Sequence, residues 1–97
     1  MDSGLAGSRT IEVKPGERIE LRLPRGFETA YQLGPGGQRR ELPSGSSWDA
    51  ASGTFAWQAA AGFLGQYRLV FSNGGERILV RVVVDPVGQN TGTTVTL

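Results

Sequence analysis

The chain has 97 residues, carries a formal net charge of +1, and contains neither cysteine nor histidine. This length supports one domain with a single core, and the missing residue types exclude disulfides, thiolate nucleophiles, Cys/His zinc sites and imidazole acid–base chemistry. Charges of both signs alternate along the sequence, which favours neither nucleic acid nor anionic lipid, and no apolar run approaches the ~20 residues of a membrane-spanning helix.

Residues 1–9 are mostly small and polar from Asp2 to Ser8 and read as a flexible leader. Thr10-Ile11-Glu12-Val13 alternates, which puts Ile11 and Val13 on one face of a strand. Lys14-Pro15-Gly16-Glu17 is a turn, with proline setting φ and glycine supplying freedom. Arg18 to Leu23 alternates cleanly, with Ile19, Leu21 and Leu23 inward and Arg18, Glu20 and Arg22 toward water. Pro24-Arg25-Gly26 ends that strand, and a weaker one runs through Tyr31 and Leu33. Gly34-Pro35-Gly36-Gly37 is a loop. A glycine-rich run cradles phosphate when it opens a helix, and nothing helical follows here. Arg39-Arg40, with Glu41 directly after, reads as a solvated loop, because phosphate binding needs several cations.

Thr54-Phe55-Ala56-Trp57 is a short strand with Phe55 and Trp57 on one face. Ala59-Ala60-Ala61 has helix propensity, which Gly62 stops within a turn. Gln66 to Phe71 buries Tyr67, Leu69 and Phe71, and Asn73-Gly74 then supplies the strongest short hairpin signal. In the partner strand, Arg77 to Val84, the residues Ile78, Val80, Val82 and Val84 point inward. Residues 10–85 therefore form the domain. Residues 86–97, rich in Thr and Gly, read as a linker or as an extra edge strand through Thr93 to Leu97. Six or seven strands with turn signals every ~8–12 residues predict an immunoglobulin-like antiparallel β-sandwich of about seven strands.

The stretch from Leu42-Pro43-Ser44-Gly45 through Trp48-Asp49 and Gly53-Thr54-Phe55-Ala56-Trp57, followed by Gly65-Gln66-Tyr67, has its own physical reading. Asp49 accepts backbone N–H groups in the turn of residues 50–53, and Gly53 supplies a conformation that a side chain would hinder. Trp48, Phe55 and Trp57 bring large apolar area to the sandwich centre, where Tyr67 joins them. The same stretch resembles a signature of immunoglobulin-like and cadherin-like domains that repeat in large bacterial surface and secreted proteins. That signature reads Leu-Pro-x-Gly-Leu-x-Leu-Asp-x-x-Thr-Gly-x-Phe-x-Trp, then Gly-x-Tyr after a loop. Ser46 stands where the pattern has an apolar residue, and Ala59 where a proline often follows the tryptophan. The resemblance implies a non-catalytic module of a larger exported protein, placed outside the cell or at its surface. Such a module acts as a spacer or in adhesion, with neighbouring domains or another protein as partners.

The remaining chemistry is sparse. Glu12, Glu20 and Glu41 fall at outward or turn positions, so no carboxylate pair is expected to face a cleft, and neither catalysis nor a cofactor is expected. Calcium needs clustered oxygen ligands, whereas Asp49 and Asp85 are isolated in the sequence. Lys14, the only lysine, sits in a turn and is poorly placed for an internal isopeptide bond. Carbohydrate binding is the alternative function, with Tyr31 and Trp48 as the aromatic platform. Trp57 and Tyr67 have the inward phase of core residues.

Overall fold

A strand with apolar residues at every second position has one face that must be buried against another sheet. In the computed structural model, which describes residues 5–86 and 93–97, nine strands meet this requirement as two packed sheets. The strands are β1 (Leu5–Val13), β2 (Arg18–Arg22), β3 (Thr29–Leu33), β4 (Arg39–Arg40), β5 (Ser47–Asp49), β6 (Thr54–Gln58), β7 (Gly65–Ser72), β8 (Arg77–Val84) and β9 (Thr93–Thr96). One sheet runs in the order β1, β8, β7, β3, β4, and the other β5, β6, β2, β9. The protein is an all-β sandwich.

The inward phases meet in one core. Ile11, Val13, Ile19, Leu21, Phe55, Trp57, Leu69, Phe71, Val80, Val82 and Val84 are all buried there, and Phe27 and Leu23 close it at the loops. No charged or polar residue is buried among the described residues. The core thus rests on apolar packing and on backbone pairing.

Three features depart from the sequence reading. Pairing begins at Leu5, so residues 5–9 belong to β1, whose register against β8 slips once between Leu5 and Gly7. A β-ladder is made by backbone groups, and the small polar residues Gly7 and Ser8 can therefore extend it without apolar alternation. Residues 1–4 of the expected leader, and 87–92 of the expected linker, lie outside the described residues. The Arg39–Arg40 doublet is a two-residue edge strand beside β3 rather than a loop. With the three-residue β5, it raises the strand count above seven.

The sheets are mixed rather than wholly antiparallel, because β1 pairs in parallel with β8 and β9 in parallel with β2. Both are terminal strands at sheet edges. No tight hairpin ties either to its neighbour, so nothing local imposes an antiparallel sense. Thr93–Thr96 thus forms an edge strand, and the N–H of Leu97 continues the ladder by donating to Arg22 O at 2.9 Å. Val95 and Leu97, both half-buried, pack against the core.

The β7–β8 hairpin occurs where Asn73-Gly74 places it. A two-residue type I′ turn would need φ > 0 at Asn73, and among the described residues only glycines have positive φ. Instead, a four-residue loop spans Ser72 and Arg77, and Asn73 Oδ1 accepts the N–H groups of Gly75 and Glu76 at 2.9 and 2.6 Å. The side chain does the work that a mirror-image turn would have done.

β1 and β9 lie on the same side of the sandwich, and Gly7, Ser8, Arg9, Ile78 and Leu97 line one small hollow between their ends. Leu5 opens β1 opposite Arg77, and β9 ends at Thr96 opposite Arg22. Both ends of the folded chain therefore sit at one end of the sandwich. Asp85, bonded to Val13 O, lies at the other.

Candidate functional site

The motif between residues 42 and 57 builds one corner of the core. Trp57 is 1% exposed; its ring lies edge-on to Tyr67 at 5.0 Å and to Phe63 at 5.7 Å. Its indole N–H donates to Ser44 O at 3.1 Å, which pins the loop before β5 to the core. Phe55, fully buried, meets Phe71 edge-on at 5.8 Å. Trp48 is half-buried on β5, turned inward onto Phe71 at 5.1 Å, and donates its N–H to Glu28 O at 3.0 Å. Tyr67 is half-buried beside Trp57.

Asp49 and Gly53 set the turn that joins β5 to β6. Asp49 Oδ1 accepts the N–H of Ala51 at 3.1 Å, Oδ2 accepts the Ser52 hydroxyl at 3.0 Å, and the Asp49 carbonyl accepts the N–H of Gly53 at 2.8 Å. Gly53 has φ +69°, and a Cβ there would stand 2.9 Å from the carbonyl oxygen of Leu23. That approach lets Leu23 N–H donate to Gly53 O at 2.8 Å, joining the turn to the end of β2.

Tyr31 and Trp48 do not form one platform. Tyr31 pairs across the ladder with Val70, on the side of its sheet opposite the buried Leu69 and Phe71, so it faces outward. Trp48 belongs to the other sheet and faces inward. Among the described residues the large hydrophobic side chain left exposed is Leu64, in the loop before β7.

The outer faces of the two sheets differ in character. On the four-stranded sheet the ladder rows are polar or small: Arg18 with Gln58, Glu20 with Ala56 and Thr94, Arg22 with Thr54 and Thr96. The half-buried Glu20 and the exposed Arg22 form an ion pair at 3.7 Å. This is a solvated face.

On the five-stranded sheet one row runs Tyr31, Val70, Leu79, Ser8, and the next runs Leu33, Arg68, Arg81, Thr10. Val83 follows, between Gln66 and Glu12. Val70 is only 5% exposed although it points away from the core, so its row shields it from water. Two of the basic groups are held in place. The Arg39 guanidinium lies over the Tyr31 ring at 4.3 Å, and Arg68 donates to Gly34 O at 2.6 Å. Arg39, Arg68, Arg77 and Arg81 share this face with Glu12. It is thus basic in a chain whose net charge is only +1.

A hollow lies at the end of the sandwich that holds Leu5 and Leu97. It has a volume of about 460 Å³, between residues 25–28 and 50–53. Glycine, alanine and serine make most of its wall, with Arg25 and Glu28 of opposite charge at its margin. Among the described residues no three acidic side chains gather to hold a metal ion. No protein-family model matches the chain, and no curated protein does so.

Periodicity located the core aromatics but missed the basic face. Arg39, Arg68, Arg77 and Arg81 are spread along the sequence among acids, and only strand pairing brings them side by side. The available signal was the outward phase of Arg68, Val70, Leu79 and Arg81, in which arginine alternates with apolar residues instead of with Glu, Thr or Ser.

Proposed function

We propose that this chain is a non-catalytic, immunoglobulin-like module of a larger exported bacterial protein that works by binding another protein. The observation that carries this reading is the contrast between the two sheet faces, one solvated and polar, the other basic with an apolar row. A row of half-buried apolar and aromatic side chains rimmed by arginine has the composition of a binding surface. The motif of residues 42–57 supports the family resemblance, and its residues are absorbed by structural roles, leaving none of them for chemistry.

Adhesion is favoured over spacing alone, because the two sheet faces differ and one of them has the composition of a binding surface. Carbohydrate binding ranks second, because Tyr31 and Trp48 occupy different faces and Trp48 is tied down at both ring and N–H.

The test is a titration of the purified domain against soluble polysaccharides, alongside hydrolase assays on ester, glycoside and peptide substrates. Neither saturable sugar binding nor turnover is expected. Millimolar or tighter sugar binding that Tyr31→Ala or Trp48→Ala abolishes would replace the reading with the carbohydrate one. Turnover would replace it with an enzyme.

A further inference from the structure

From the outer face of the five-stranded sheet we infer the chemistry of the partner: a folded protein surface whose carboxylates surround an apolar or aromatic centre. This inference rests on the reading of the domain as an interaction module and names the surface and what it accepts.

The face has a centre and a rim. At the centre Val70 is already shielded from water, so the apolar area that a partner would cover comes from the half-buried Tyr31 and Leu79 on either side of it. Arg81 and Arg39 stand beside this centre as exposed planar guanidinium groups, and Arg68 is held half-buried by its bond to Gly34 O. Guanidinium groups bind carboxylates through paired N–H donors, and those fixed in advance lose less freedom on binding. The stacking of Arg39 on Tyr31 and the tether of Arg68 are such fixings. Aromatic and arginine anchors around a dry centre are the usual composition of interface hot spots.

The same features decide against other occupants. An anionic polymer would use the arginines but gains nothing from Leu33, Val70, Leu79 and Val83. A small ligand needs a concave site, and this is the open face of a sheet. A second copy of the chain docked by the same face would set arginines against arginines about its two-fold axis.

The experiment is an amide NMR titration of the labelled domain with three probes: a soluble peptide alternating glutamate with leucine and tyrosine, an all-glutamate peptide of equal charge, and a heparin oligosaccharide. The mixed peptide is expected to shift the amides of Tyr31, Val70, Leu79 and Arg81, and to bind more tightly than either other probe. The double variant Arg39→Glu/Arg81→Glu, both exposed positions, should keep its dispersed spectrum and bind the mixed peptide at least about tenfold more weakly. Tighter binding of heparin would overturn the inference in favour of an anionic polymer. Absence of shifts with all three probes, or binding untouched by the double variant, would overturn it as well. Shifts centred on another surface would also overturn it, while leaving the interaction-module reading intact. Turnover in the substrate assays above would instead remove that reading, whichever face responds here.

Discussion

Replacing Trp57 by alanine tests the core most severely. A buried tryptophan removes roughly 150–250 Å² from water, and truncation of such a residue costs about 3–5 kcal/mol in lost transfer energy and cavity formation. Trp57 is 1% exposed and packed between Tyr67 and Phe63, so the upper half of that range applies. The variant also leaves Ser44 O without its donor, adding about 1 kcal/mol and freeing the loop before β5. A domain of this size has roughly 5–15 kcal/mol in total. With a urea slope of about 1.5 kcal/mol per molar, the unfolding midpoint should fall by about 3–4 M, leaving a marginal or unfolded protein. Trp57→Phe separates the two contributions. It keeps a ring in the core, loses the bond to Ser44, and should cost about 1–2 kcal/mol. A midpoint shift for Trp57→Ala below about 0.3 M would refute the packing argument and make Trp57 the leading binding residue.

Gly53→Ala should destabilise by about 2–3 kcal/mol in the same assay, because it combines a positive φ with a Cβ 2.9 Å from a backbone oxygen. Gly45→Ala, with φ +84° and open space around the added carbon, should cost about 1 kcal/mol; equal losses at the two sites would mean that the contact with Leu23 is not tight. Removing residues 93–97 should destabilise the domain by about 1–3 kcal/mol, read from its thermal and urea midpoints, since Val95 and Leu97 are half-buried against the core. Unchanged melting and oligomeric state would show that β9 adds nothing to the fold. Asp49→Ala should cost about 1 kcal/mol through the lost Ala51 bond, and Asp49→Asn, which retains an acceptor, clearly less.

The parts legible in the sequence are those governed by period two. In β2, β7 and β8 the inward residues are the ones that alternation selects, and the bounds of β8 coincide with the predicted strand. The unpredicted parts depend on partners far away along the chain. β4 is two arginines with no apolar signal, and it exists because Leu33 and Gln32 offer it a ladder. Leu5 to Arg9 joins β1 because β8 is there to pair with. Similarly, Tyr31 and Trp48 look alike as aromatic residues on weak strands. Their opposite fates follow from the side of its sheet that each ladder position takes, Tyr31 beside Val70 and Trp48 beside Phe55, and local spacing does not encode that choice. The basic face stayed hidden for the same reason, since it is assembled from β3, β4, β7 and β8.

The outer face of the five-stranded sheet is the proposed working surface. Reversing charge on each face in turn tests it most directly, with the glutamate–leucine–tyrosine peptide titrated into both variants and the parent. Arg39→Glu/Arg81→Glu alters the proposed surface, and Arg18→Glu/Arg22→Glu alters the solvated face of the other sheet by the same charge. The account predicts that the first weakens binding at least about tenfold, that the second changes it by less than about twofold, and that added salt weakens the parent. Equal losses in the two variants would reduce the effect to overall charge and contradict the claim.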